Sequence, residues 1–568
     1  MGCWDFVVEA GLLSKLVKCD GARTKLQGWV TNPPSCFNYF TLRSGLAWCK
    51  VSSVIKDRMR AGWVLPLLVH ATAGVCGAGA AEPAFTDVTK EVGGLSGYTT
   101  VHPYTAPHAA WGDFDNDGWV DIFQGSLGYE DRPPMVCGVW RNVGGKKFEL
   151  AAELPPDCLA AIWGDYDNDG FLDLYCWSTG QLFQNQRRQS FKEVPMPEGH
   201  PKQSRGACWG DYDGDGWLDL YVSGFEVWPD QEFADVIFHN LRGKSFELGW
   251  QQKEIKRGRG VTAADFDEDG DLDIYVSNYR LQPNLLWIND GTGSFSDQAR
   301  AYGAAGDGEH GQWGHTISSA FGDFDSDGLI DLFVGNFSHP PKNQDRVKLL
   351  RNTGSAGGFK FDDQGPTAAP EWQESFASPA LGDFDNDGFL DFYLTTVYEG
   401  GKSVLYRNTS ADFSEMPNPN SKPGESPVGE WRFQNVTDEA GVITESTYGA
   451  AWADYDNDGD LDLAAGARLF QNLGNENHWL KLRLDGGPDA NRGSIGARIL
   501  VRAGPWKLVR QVEGGTGEGN QNDLAVHFGL GSRGDPVKVI VHWSNGDVQT
   551  FETPVDRIVD VVKQAVER

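Results

Sequence analysis

The chain has no long apolar run. The longest, Ala61 to Val75, is about fifteen residues, too short to favour a membrane span. Nor is there a C-x-x-C metal motif, a zinc motif, a nucleophile elbow or a nucleotide-binding fingerprint, so the commonest hydrolase and nucleotide chemistries have no local signature. Basic residues are outnumbered: 49 Lys and Arg stand against 80 Asp and Glu, a formal charge of −31. Such a surface disfavours nucleic acid and anionic membrane, both of which need basic patches. Cysteine stops at Cys208. Cys3, Cys19, Cys36, Cys49 and Cys76 lie in the first 80 residues, leaving Cys137, Cys158, Cys176 and Cys208. That even number allows one or two disulfides after export, the alternative being four buried free thiols.

What is present is aspartate in a fixed pattern. Asp113, Asp115, Asp117 and Asp121 occupy positions 1, 3, 5 and 9 of one nine-residue stretch, with Gly118 at position 6. Carboxylates packed so closely repel one another, and a folded chain gathers them around a cation. Calcium suits the set because it takes six to eight oxygens at flexible geometry. Position 7 adds a backbone carbonyl, here that of Trp119, and the glycine permits the sharp turn.

The pattern occurs seven times. The second loop has Asp165, Asp167, Asp169 and Asp173 with the carbonyl of Phe171; the third has Asp211, Asp213, Asp215 and Asp219 with Trp217. The fourth has Asp265, Asp267, Asp269 and Asp273 with Asp271; the fifth has Asp323, Asp325, Asp327 and Asp331 with Leu329. The sixth has Asp383, Asp385, Asp387 and Asp391 with Phe389; the seventh has Asp454, Asp456, Asp458 and Asp462 with Asp460. Positions 1, 3, 5 and 9 of the seven loops hold 28 of the 80 acidic residues, and seven divalent ions would bring the charge to about −17.

An EF-hand opens with the same D-x-D-x-D-G but needs Glu at position 12 and a helix on each side. Position 12 here is Gln124, Cys176, Val222, Val276, Val334, Leu394 and Ala465. Short apolar runs such as Leu272–Val276 follow the loops, and Trp111, Trp163, Trp209, Phe321 and Trp452 stand two residues before the first Asp. Both flanks therefore read as strands. The EF-hand is excluded.

The first 80 residues differ from the rest. Arg58-Met59-Arg60, the apolar run and Ala78-Gly79-Ala80 are the parts of a secretory signal over residues 59–80, with cleavage expected after Ala80. Its internal position suggests that Met59 is the true start, or that residues 1–58 are an upstream extension; a bipartite organelle signal is the alternative. Secretion is expected, with sequons at Asn336, Asn408 and Asn435.

From Phe85 the spacing between loops runs from 46 to 71 residues. Each loop is followed by an apolar-aromatic segment ending in Asn: Asn142, Asn185, Asn240, Asn289, Asn352, Asn408 and Asn472. A period near 50 residues, all strand and turn, suits a four-stranded propeller blade. The fold expected is all-β: a seven-bladed β-propeller with calcium-binding loops over 81–476 and a small β-sandwich-like module over 477–568. Phe85-Thr-Asp-Val-Thr89 nearly repeats Phe433-Gln-Asn-Val-Thr437, so the first is expected to complete the last blade. An exposed insertion near Glu415–Glu430 accounts for the longest spacing.

These loops resemble the FG-GAP/VCBS repeats of integrin α-type propellers. Asn477-His-Trp-Leu480, Gly493-Ser-Ile-Gly-Ala-Arg498, His527-Phe-Gly-Leu-Gly531 and Val541-His-Trp-Ser-Asn-Gly546 look like an ASPIC/UnbV module. The order is similar to that of the cartilage acidic protein family, although the lack of cysteine after Cys208 leaves no EGF-like domain expected. Gly514–Asn522 (GGTGEGNQN) follows no βαβ pattern and reads as a turn, not a phosphate loop.

Two functions follow. One is a secreted, non-enzymatic adhesion or recognition scaffold, a monomer with structural Ca2+ and an extracellular protein or glycan ligand. The other is a carbohydrate-binding or carbohydrate-active propeller, lyase-like, for which His310, His315 and Trp313, then His102 and His108, are the candidate residues.

Overall fold

The computed structural model describes residues 40–44, 47–51, 84–93, 107–126, 137–188, 190–229, 231–308, 313–338, 346–368, 373–398, 400–410, 429–445, 447–504 and 506–564. The backbone separates into two units, Met1–Glu82 and Pro83–Arg568. In the first, Phe40–Ser44 and Ala47–Val51 form an antiparallel hairpin. The signal-like segment 59–80, His102, His310 and most of the 415–430 insertion lie outside the described residues.

The second unit is mostly β. Each aspartate loop joins the first two strands of a four-stranded antiparallel sheet. In the first sheet these are Pro107–Gly112 and Asp121–Ser126, followed by Gly138–Asn142 and Phe148–Glu153. The first strands of the other six are Ala161–Gly164, Ser204–Gly210, Gly258–Ala264, His315–Gly322, Phe376–Gly382 and Ala450–Ala453. The last aspartate of every loop opens the second strand, and the marker asparagine closes the third. Sequence landmarks and strand ends coincide because a short, ligand-dense turn leaves no room for slippage.

Each first strand contacts the first strand of the next sheet, and that of the seventh contacts that of the first, so the order is cyclic. The edge is covered as expected. Phe85–Asp87 pairs antiparallel with Arg468–Asn472 as the fourth strand of the seventh sheet, while Phe433–Asn435 holds the same place in the sixth. The tryptophans before the loops tie sheets together, Trp111 Nε1 donating to Ala451 O (3.2 Å), Trp163 Nε1 to Ala110 O (3.1 Å) and Trp452 Nε1 to Ala380 O (3.0 Å).

Two further sheets follow. His478–Asp485 pairs with Val526–Gly531 and, in parallel, with Arg557–Val562; Arg498–Ala503 lies between Trp506–Gln511 and Val537–His542. Leu482, Ile499, Val501, Phe528 and Val539 are buried in their common core.

Two sequence expectations change. Cys137, Cys158, Cys176 and Cys208 are buried and form no disulfide among the described residues; the first three share one apolar cluster and Cys208 lies in another. Asn336 and Asn408 are buried with committed amides, Asn336 Nδ2 to Arg346 O and Asn408 Nδ2 to Phe324 O, which leaves Asn435 as the exposed sequon of the three.

Candidate metal centre

The seven loops share one backbone. Position 4 is left-handed in every loop (φ from 52° at Asn168 to 71° at Gly214), as is the glycine at position 6. With position 4 so turned, the carboxylates at 1, 3 and 5 point inward and accept amide hydrogens from within the loop. Asp113 takes Asp117 N (3.1 Å) and Gly118 N (2.9 Å), and Asp117 takes Trp119 N (2.9 Å). One carboxylate oxygen from each of Asp113, Asp115 and Asp121 lies within 4.8 Å of the others, and the same holds for Asp165, Asp167 and Asp173 and for Asp265, Asp267 and Asp269.

The residues fit a cation on a direct test. In the fourth loop Asp265 Oδ1, Asp267 Oδ1, Asp271 Oδ1 and Asp273 Oδ2 are buried and have no hydrogen-bond partner in the protein; Asp211, Asp323, Asp325 and Asp383 each have one such oxygen. Buried polar atoms are almost always paired, and lone carboxylate oxygens are among the costliest exceptions. Burial, with repulsion from sister aspartates added, pushes Asp121 and Asp273 up to about 9, Asp327 to about 8 and Asp165, Asp211 and Asp383 to about 7. A divalent ion among these oxygens would supply the missing partner and remove the repulsion.

Three contributions were not read from sequence. The first is the marker asparagine. In all seven repeats its backbone N–H donates to the last aspartate of its own loop, at 2.7 Å for Asn142 to Asp121 and 2.9 Å for Asn289 to Asp273. Its side-chain amide then reaches the preceding sheet, as when Asn240 Nδ2 meets Tyr166 O and Asn472 Nδ2 meets Phe384 O. For Asn142 the preceding sheet is the seventh, and Nδ2 meets Tyr455 O at 2.8 Å. Asn142→Ala should therefore destabilise by about 2–4 kcal/mol, since it strands two buried carbonyls. Asn240→Ala should lose about the same in chemical denaturation. A much smaller loss for Asn142→Ala would break the cyclic order.

The second is the residue before that asparagine. Arg141, Gln184, His239, Arg351, Arg407 and Gln471 each hold the position-3 aspartate of their loop, for example Gln184 to Asp167 at 2.6 Å and Arg351 to Asp325 at 2.8 Å. Ile288 has this place in the fourth repeat, where the lone oxygens are most numerous.

The third is the C-terminal region, which covers the loops. Arg483 Nη2 donates to Gly118 O (2.6 Å), Arg492 N to Asn168 Oδ1 (3.0 Å) and Arg498 Nη2 to Gly328 O (2.6 Å) and Glu268 (2.7 Å). Gly529 N donates to Asp383 (3.1 Å), His527 Nε2 to Gly459 O (3.0 Å) and the buried Lys481 to Asp454 O (3.1 Å). Basic side chains thus meet the acidic face at close range.

The segment 514–522 is a turn, but one placed amid the first strands. Trp111 N donates to Gln521 O, Trp163 N to Gln521 Oε1, Trp209 N to Gly514 O, Val261 N to Gly517 O and Trp452 N to Asn522 Oδ1, while Asn522 Nδ2 donates to Leu381 O. These reach the first, second, third, fourth, seventh and sixth sheets. Gly517 (φ 61°) lies against the fifth, where a Cβ would collide with Ser318 Oγ.

Of the candidate catalytic residues, His108 and His315 both lie at the starts of first strands, remote from the loops. Trp313 packs beneath Arg300, whose guanidinium lies 4.5 Å from its ring.

The repeats and the tail each match a known family description. The FG-GAP-like repeat matches residues 165–222, 265–334 and 323–394, and ASPIC and UnbV matches 487–568. The chain thus contains stretches of FG-GAP-like repeat and an ASPIC and UnbV stretch. It is homologous to cartilage acidic protein 1: 28% identical to the Mus musculus protein over 54% of this chain and 44% of that protein. With the Homo sapiens protein it shares 28% identity over 51% and 41%, and with the Xenopus tropicalis protein 26% over 54% and 45%. The match spans less than half the length of these relatives. A solved structure of the Photorhabdus luminescens Tc holotoxin pore aligns at 13% identity with a TM-score of 0.25, over 54% of this chain and 15% of that one, too slight a likeness to bear on the fold.

Proposed function

We propose that the seven sheets are blades of a closed seven-bladed β-propeller over residues 81–476, that each loop holds one structural calcium ion, and that residues 477–568 are a β-sandwich module seated on the loop face. The carboxylates at loop positions 1, 3, 5 and 9 and the carbonyl at position 7 are its ligands. The chain is then a secreted, non-enzymatic recognition scaffold for an extracellular protein or glycan.

The observation that carries this reading is the set of buried, partnerless carboxylate oxygens in the fourth loop. The covering of the loop face by basic residues favours structural ions over catalytic ones, since a catalytic metal needs an open coordination position. No helix among the described residues is long and apolar enough to cross a membrane. The test is equilibrium dialysis with elemental analysis. Up to seven calcium ions per chain are expected, and Asp269→Ala should remove one of them. A purified chain that retains no calcium at millimolar supply would reject the assignment.

A further inference from the structure

The loop end of the cyclic strand array is covered, so the opposite end is where a ligand would meet it. The first strands are six to eight residues long in most sheets, which puts their starts roughly 20 Å from the loops. There the composition changes. Although the chain carries −31, two arginines, Arg205 and Arg259, stand at the starts of neighbouring strands amid aromatic rings. Arg259 lies 5.2 Å from the Tyr279 ring, 5.6 Å from Tyr448 and 5.5 Å from Phe225; Arg205 lies 5.5 Å from Phe225. His108 stacks on Tyr448 at 6.4 Å, and burial together with both arginines pushes it down to about 3, so it stays neutral.

Glu518, at the tip of the glycine-rich turn, bonds Arg259 from below. A buried Arg–carboxylate pair adds little net stability, because desolvating both groups offsets most of their attraction. It does fix the guanidinium in one orientation. His108 Nδ1, fully buried beside it, has no partner in the protein. Arg205, Tyr279 and Tyr448 are partly exposed, and Tyr398, packed on Phe337 at 5.5 Å, is 37% exposed.

We propose that this end binds an anionic sugar residue, carboxylate- or sulfate-bearing, with its charge on Arg205 and the oriented Arg259 and its ring on Tyr279, Tyr398 and Tyr448. A planar guanidinium gives paired donors to a carboxylate or sulfate. The flat phenol faces suit the C–H face of a pyranose. The net charge repels anions at long range, so recognition must come from these short-range groups. The assignment rests on the capped-propeller reading above.

The test is calorimetric titration of the calcium-loaded full chain. The probes are oligogalacturonate (carboxylate), a sulfated galactan oligosaccharide, a neutral cello-oligosaccharide and polyglutamate. One of the two anionic sugars should bind, the neutral sugar and the peptide at least about tenfold more weakly, and which anion wins identifies the charged group. Arg205→Gln and the surface variant Tyr398→Ala should each weaken binding about tenfold, one charge-assisted or stacking contact's worth. Binding by none of the probes, equal binding of the neutral sugar or polyglutamate, or wild-type affinity in Tyr398→Ala would overturn the site. Calcium-dependent thermal midpoints on the same samples report the scaffold separately: if they persist while binding fails, the propeller reading stands without this ligand.

Discussion

Chelating calcium should lower the thermal midpoint by on the order of 20 °C. Each ion bound only by the folded chain stabilises it by about 2.7 kcal/mol at a free concentration a hundredfold above its Kd, and seven such sites act together. The effect is large for a second reason. Without an ion the lone oxygens of Asp265, Asp267 and Asp273 are buried without partners, and repulsion between sister carboxylates goes unrelieved. Calcium should restore the midpoint and magnesium should do so poorly, because magnesium demands strict octahedral geometry and sheds water reluctantly. Scanning calorimetry with and without chelator decides it. A metal-free preparation with an unchanged midpoint would remove the central claim.

Phe85→Ala should destabilise the protein by about 3–5 kcal/mol, the usual range for deleting a buried aromatic ring. Phe85 is 2% exposed and packs on Phe384 (5.8 Å) and Trp452 (6.1 Å), so its loss opens a cavity between the sixth and seventh sheets. Truncation also weakens the short strand that covers Arg468–Asn472, leaving an unpaired edge prone to pair with other chains. The equivalent Phe433 is only partly buried and should lose less on the same substitution. Urea unfolding of the two variants separates them. A Phe85→Ala loss within 1 kcal/mol of zero (against that range) would show that the strand does not hold the seventh sheet.

Strand ends and loop turns were legible because the repeat marks them with residues of special chemistry: aspartate in the carboxylate-lined turn, glycine where φ is positive, asparagine where two sheets must be joined. The asparagine was recognised as a marker without its bonds, since its partner lies in the neighbouring repeat, 74 residues away for Asn240 and Tyr166 and 313 for Asn142 and Tyr455. Contacts set by closure leave no local pattern. The same holds for Gly514–Asn522, whose composition says turn and whose surroundings come from seven separate strands. Sequons and cysteines misled for a related reason: Asn408 and Cys176 satisfy a short pattern or a parity count, but burial, which neither reports, decides their fate.

The pairing of Phe85 with Asn472 joins residues made far apart in time. At 5–20 residues per second, roughly 20–80 s separate their emergence from the ribosome. Throughout that interval the Phe85–Asp87 strand lacks its partner and the seventh sheet is incomplete. Completion of the seventh sheet is thus deferred until residue 472 has emerged, and the turn that reaches every first strand comes later still. A nascent chain arrested before residue 472 would present its first strand to any neighbour with an open edge, which makes the window of synthesis, more than the finished protein, the period of greatest exposure to misassembly.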